Sequence, residues 1–155
     1  MKLSIIRSQH ERIERRLASI ASGDGAQGEQ GDQLLALIED VVAHLAVHRR
    51  VLLPASPLFA SDALHHESRL RLLLLRLVAL SKLGSSQLGE TLAELRDVFH
   101  AHVEVEEQLV LPELEATLDE RALASLDEAI EQTDDDSRAR VAALRTEGPP
   151  QLLCG

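Results

Sequence analysis

The sequence predicts an all-α protein, an up-down-up-down four-helix bundle with a short fifth helix after it. Three observations predict this class. Leucine and alanine dominate while Phe59 and Phe99 are the whole Phe, Tyr and Trp content, which favours helix over the aromatic and β-branched surfaces that sheets need. Apolar residues recur at helical intervals along four long stretches. Proline and glycine gather in the gaps between those stretches. At 155 residues the chain has the length of one domain, enough to bury roughly 68–70% of the surface its unfolded form exposes.

The first helix is predicted from about Leu3 to Ser22, with Ile6, Ile13, Leu17 and Ile20 as its apolar stripe and His10 set among them. Ser22 to Gln33 carries four glycines and breaks it. Leu34 to Leu53 resumes the pattern and should stop at Pro54, where Pro54 to Pro57 forms a turn. The third helix begins near Leu58 or Ser61 and ends at Leu83, with Gly84 placed to cap it. The fourth runs from about Gln87 to Leu111, kinked or ended by Pro112. A fifth segment, Asp119 to about Gln132, sets Leu123, Leu126 and Ile130 on one side, and the acidic run Asp134 to Asp136 reads as its solvated end. Residues 1–147 thus form one domain, and 148–155, with two prolines, read as a flexible tail.

The third helix is leucine nearly all round, from Leu70 to Leu77. Its surplus leucines are expected to cover the fifth segment or to pair two subunits as a homodimer. A net charge of -10 argues against nucleic acid as a partner, because phosphate binding needs a concentrated basic surface. Leu70 to Leu80 carries Arg71 and Arg76 and falls short of the roughly 20 apolar residues of a membrane span. The opening residues have too short an apolar run for a secretory signal, and the single cysteine, Cys154, excludes an internal disulfide, so the cytoplasm is the expected location.

Two stretches share one grammar. His44, His48 and Pro54 are matched by His102, Glu106 and Pro112, with equal spacings in both. Each stretch is preceded by another histidine, His10 at 34 residues before His44 and His66 at 36 before His102. Residues four apart on a helix share a face with Cβ atoms roughly 5–6 Å apart, so each pair can reach one point beside the axis. Two such pairs and two further histidines make a dinuclear metal site at equal depth in both halves. His65 and His100 lie about 100° and 200° around the helix from His66 and His102 and are left outside it.

The pattern of a helix histidine followed by His-x3-Glu, repeated twice, resembles the hemerythrin-like family of HHE cation-binding domains, over about residues 5 to 132. The resemblance implies two non-haem irons bridged by carboxylates, with His10, His44, His66, His102 and Glu106 matching ligand positions. His48 stands where the family usually has a bridging glutamate. An imidazole cannot span two ions as a carboxylate does, so the set is richer in nitrogen, and zinc competes with iron for it. Glu14, Asp40, Asp62 and Glu107 are candidates for a second bridge, Glu14 first, because its spacing from His10 repeats His-x3-Glu.

What the resemblance implies functionally is a protein that binds or reacts with a small ligand, O2, NO or peroxide, at open metal positions, with apolar Leu70 one turn after His66 lining a dry pocket. Storage, donation or sensing of metal without turnover is the alternative, as is an interaction module whose histidines are vestigial.

Overall fold

A computed structural model describes residues 3–23, 29–84 and 86–147. Every regular element among them is helical. Helix α1 is Ser4–Ser22 and α2 is Glu29–Val47, the latter continued by a π-helical turn, His48–Leu52, into Leu53–Ala55. A 3-10 turn, Pro57–Phe59, leads to α3, Ala60–Leu83. Helix α4 is Leu88–Val105, continued by a second π turn, Glu106–Val110, into Leu111–Thr117, and α5 is Glu120–Glu147. No helix of the described residues is long and apolar enough to cross a membrane.

Glycine ends two of these helices. Gly23 and Gly84 adopt left-handed φ angles of 68° and 61°, and their N–H groups donate to Ile20 and Leu80 carbonyls. That backbone state is free of steric penalty for glycine alone, so Gly84 caps α3 as the sequence suggested.

Four boundaries differ from expectation. Helix α2 begins at Glu29 rather than Leu34, since Glu29 and Asp32 in its first turn complement the helix dipole and outweigh Gly31 within it. Residues 24–28 of the expected connection lie outside the described residues, as does the tail 148–155.

The prolines stop neither α2 nor α4. A proline normally clashes with the carbonyl four residues earlier. Here the turn just before each proline is widened, with Leu53 N–H bonding back to the His48 carbonyl and Leu111 N–H to that of Glu106. Such π turns recur where a helix carries function, and these start at the second ligand candidate of each repeated motif, His48 and Glu106.

The fifth helix is not short but 28 residues long. Its apolar stripe ends at Ile130, as expected, and polar contacts carry it onward. Asp134 accepts from Gln9 of α1 at 2.8 Å and from Arg138, one turn on, at 2.8 Å. The acidic run is therefore inside the helix and partly engaged with α1. Helix α5 lies against α2 and α1, whereas α3 packs chiefly on α4.

The apolar interior divides in two. One cluster includes Ile13, Leu17, Val41, Leu45, Leu70, Leu77, Leu95 and Phe99, and the other Leu3, Ile6, Val47, Leu52, Leu111, Leu114, Leu123 and Ile130. Between them, on α1, α2 and α4 with their π turns, fall His10, His44, His48, His102 and Glu106. Of the leucine run on α3, Leu70, Leu73, Leu74 and Leu77 are buried while Leu72 and Leu75 remain 67% and 69% exposed.

Asp40 ties three helices together. Only 1% exposed on α2, it accepts from Arg12 Nε at 3.2 Å and from Arg16 Nε, both on α1, and from Arg138 Nη1 of α5 at 2.8 Å. Burial would raise its pKa, but the three guanidinium groups outweigh burial and hold the carboxyl below its ordinary 3.8. A depressed pKa contributes stability that is present above the unfolded value and is lost as pH falls through the folded one. Asp40→Asn is expected to cost about 2–3 kcal/mol at pH 7, less than a fully buried pair because the arginines are partly solvated, and to flatten the acid limb below pH 4. Urea unfolding of the metal-free proteins at pH 7 and pH 3 checks this; a loss under about 0.5 kcal/mol at pH 7 would show that the network is energetically neutral.

Candidate metal centre

Five side chains from three helices meet between the two apolar clusters: His10 of α1, His44 and His48 of the α2 line, and His102 and Glu106 of the α4 line. All are buried. The geometry is organised around Glu106. Its Oε2 lies 2.7 Å from His10 Nε2 and 3.6 Å from His44 Nε2, while its Oε1 lies 3.2 Å from His102 Nε2 and 3.6 Å from His48 Nε2. Two ligand groups result, His10 with His44 and Glu106, and His48 with His102 and Glu106, each with ligand atoms within 4.8 Å of one another. Each carboxylate oxygen faces its own pair of imidazoles.

A surrounding layer aims the rings. His10 Nδ1 is 2.8 Å from Glu107 Oε1, His44 Nδ1 is 3.2 Å from Gln9 Oε1, and His48 Nδ1 is 3.3 Å from Glu67 Oε2. An acceptor at Nδ1 selects the Nδ1–H form and leaves the Nε2 lone pair pointing inward, the arrangement that metal-binding histidines adopt. Phe99 closes one side with its ring centroid 5.6 Å from that of His44.

Two features of this cluster fit a cation. His44 Nε2 and His102 Nε2 stand 2.9 Å apart, so either one keeps a proton or both lone pairs face a positive charge. Glu106 Oε1 is buried and makes no hydrogen bond of good geometry. Unpaired buried acceptors are costly in a closed interior. A metal among the four Nε2 atoms and two carboxylate oxygens would satisfy both, and the donor set suits iron and zinc alike.

The electrostatics agree. Burial favours the neutral form of Glu106, but His102 and His44, with the His10 hydrogen bond, overturn it and keep the carboxyl well below its usual 4.5. Burial holds His44 well below 6.5 and His48 below it, each only partly offset by Glu106. Burial also pulls His10 down, yet its contacts to Glu106 and Glu107 outweigh this and raise it. Without metal, the carboxylates of Glu106 and Glu107 favour a proton on His10.

Not every predicted residue joins the cluster. His66 stands at its edge, its ring centroid 6.1 Å from that of His102 and its buried Nδ1 without a hydrogen-bond partner, and it falls outside both ligand groups. Glu14 is placed on the surface, where its Oε1 lies 3.3 Å from His100 Nδ1. The geometric reason is phase: His10 already fills the inward position of α1, and Glu14 one turn on faces α4 at its solvated edge. Asp40 is spent on arginines and Glu107 on the outer nitrogen of His10. Within both ligand groups, the shared carboxylate is Glu106 itself.

Gln9 and Glu67 went unread in the sequence, although a signal was there. Gln9 lies three residues after Ile6 and four before Ile13, and Glu67 lies four after Ala63 and three before Leu70, so both are polar residues in core phase. Both are buried.

Fold and site together define a helical, bundle-like protein with a buried His/Glu cluster that could hold metal. Set against family models, curated proteins and solved structures, the chain matches none of them.

Proposed function

We propose that the chain is a hemerythrin-like protein, an up-down-up-down bundle holding two non-haem irons that bind or react with O2, NO or peroxide. The observation that carries this reading is Glu106, a single carboxylate whose two oxygens face separate histidine pairs. Bound iron supplies redox chemistry and open positions for a small ligand. The chain's own groups do the rest: Glu107, Gln9 and Glu67 orient the imidazoles, while Phe99 and the buried leucines exclude water. Metal storage or donation is favoured over turnover to the extent that one carboxylate, rather than two, holds the pair.

About two ions per chain are expected from metal analysis after loading with iron or zinc, and near one would overturn the dinuclear reading. Uptake is also expected to depend on pH. His10 must lose its proton to become a ligand, and because its pKa is raised above 6.5 the proton persists into the neutral range. Affinity should therefore rise, with proton release, from pH 6 to pH 8. Titration calorimetry in buffers of different ionisation enthalpy measures both. Addition of peroxide to the iron-loaded protein then separates turnover, with gas evolved, from inert storage.

A further inference from the structure

Four of the sixteen basic residues of this acidic chain line one groove. It lies over α2, in the trough left because α5 rests on α2 while α3 leans on α4. Its volume is about 680 Å³, within the range of small-molecule sites. The floor is aliphatic, with Val42 and Leu45 of α2, Leu74 and Val78 of α3, and Val141 of α5. Arg49, Arg50, Arg71 and Arg140 contribute the guanidinium groups, and no carboxylate lines the groove.

Two of those arginines are fixed from below. Buried Glu67 accepts from Arg71 Nε at 2.9 Å and from Arg49 Nη1 at 3.3 Å through one oxygen, Oε1. Each guanidinium has five N–H donors, so most of theirs are left for another acceptor. Arg50 and Arg140 make no ion pair among the described residues. One buried carboxylate thus holds two guanidinium groups side by side, and two more add positive charge that nothing beside them neutralises.

From the aliphatic floor and the pinned arginine pair, we infer that the groove binds a single-chain amphiphile with an anionic head, a long-chain carboxylate. The alkyl chain covers Val42, Leu45, Leu74, Val78 and Val141, and the head accepts from Arg49 and Arg71, with Arg50 and Arg140 adding charge. Arginine suits such a head because its planar fork meets a carboxylate through two parallel hydrogen bonds. A helical peptide fits less well. One turn of helix, about 5.4 Å long and about 10 Å across, sweeps roughly 420 Å³, so the groove holds fewer than two turns. The inference is independent of which metal, if any, the histidines carry.

Isothermal titration of the full chain with dodecanoate below its micelle concentration tests it. One dodecanoate per chain is expected, with acetate binding at least about tenfold more weakly for want of a chain and dodecyltrimethylammonium at least about tenfold more weakly for want of a negative head. The exposed double change Arg50→Glu and Arg140→Glu should weaken dodecanoate at least about tenfold, and Leu75→Glu, on the exposed wall, should do likewise. Melting temperature and metal content, unchanged in both variants, verify that they fold. Equal binding of the cationic amphiphile, or full dodecanoate affinity in the double variant, would overturn the proposal. So would binding to phosphatidylglycerol vesicles without binding of monomeric dodecanoate, or a dimer in sedimentation that excludes dodecanoate from the groove.

Discussion

Replacing Glu106 by glutamine is expected to leave the protein folded and unable to hold either metal ion. The amide keeps the shape of the carboxyl but loses the charge and one acceptor oxygen, and both ligand groups depend on that residue. In the metal-free protein the change is mild, because it removes a buried charge together with the need for a proton on His10. With metal present the contrast is large. An ion at about 1,000 times its Kd stabilises the native state by about 4 kcal/mol, and for a domain of this size that raises Tm by roughly 8–16 °C per site. The native protein should show such a rise on loading and Glu106→Gln none, while His100→Ala, changed on the exposed surface, should behave as native. Retention of one tightly bound ion by Glu106→Gln would mean that a histidine pair suffices without the shared carboxylate.

His48→Glu should act in opposite directions with and without metal. His48 lies between two carboxylates, its Nε2 3.6 Å from Glu106 Oε1 and its Nδ1 3.3 Å from Glu67 Oε2. A third carboxylate there repels both, so the metal-free variant should melt lower than the native protein. Once loaded, a second carboxylate can span the pair, and metal release should slow by at least about tenfold. Anionic oxygen also favours the ferric ion. A hundredfold greater preference for ferric over ferrous iron is about 120 mV, so the variant's reduction potential should fall by something of that order. Equal potentials and equal release rates in the two proteins would remove His48 from the ligands.

The all-helical class and the meeting of His10, His44, His48, His102 and Glu106 were legible because helical spacing is local and repeats in both halves of the chain. Other features depend on contacts between helices that spacing does not encode. The length of α5 rests on Asp134 meeting Gln9 and Arg138 meeting Asp40, 125 and 98 positions apart in sequence. Glu14 fits the His-x3-Glu pattern on paper, yet the pattern does not say which of two inward positions a neighbouring helix leaves room for. The persistence of α2 and α4 through Pro54 and Pro112 was hidden for a different reason. A π turn adds a residue to the helical repeat, and a reading in steps of three and four treats the proline as a stop.

The division of the interior bears on how cooperatively the chain unfolds. Helix α3 contributes its buried leucines to one apolar cluster, and α5 contributes Leu123 and Ile130 to the other. Only α1, α2 and α4 pass through both, and each crosses the boundary at its share of the His/Glu layer. Regions of a protein that share few apolar contacts open as separate units. Metal-free, the two clusters are joined by those three backbones, by α5 through its Arg138–Asp40 pair, and by a hydrogen-bonded seam with an orphan oxygen; a bound metal would make that seam a cross-link among three helices. Metal in the His/Glu layer would therefore enlarge the unit that melts, and hydrogen exchange in the apolar clusters is expected to slow on loading.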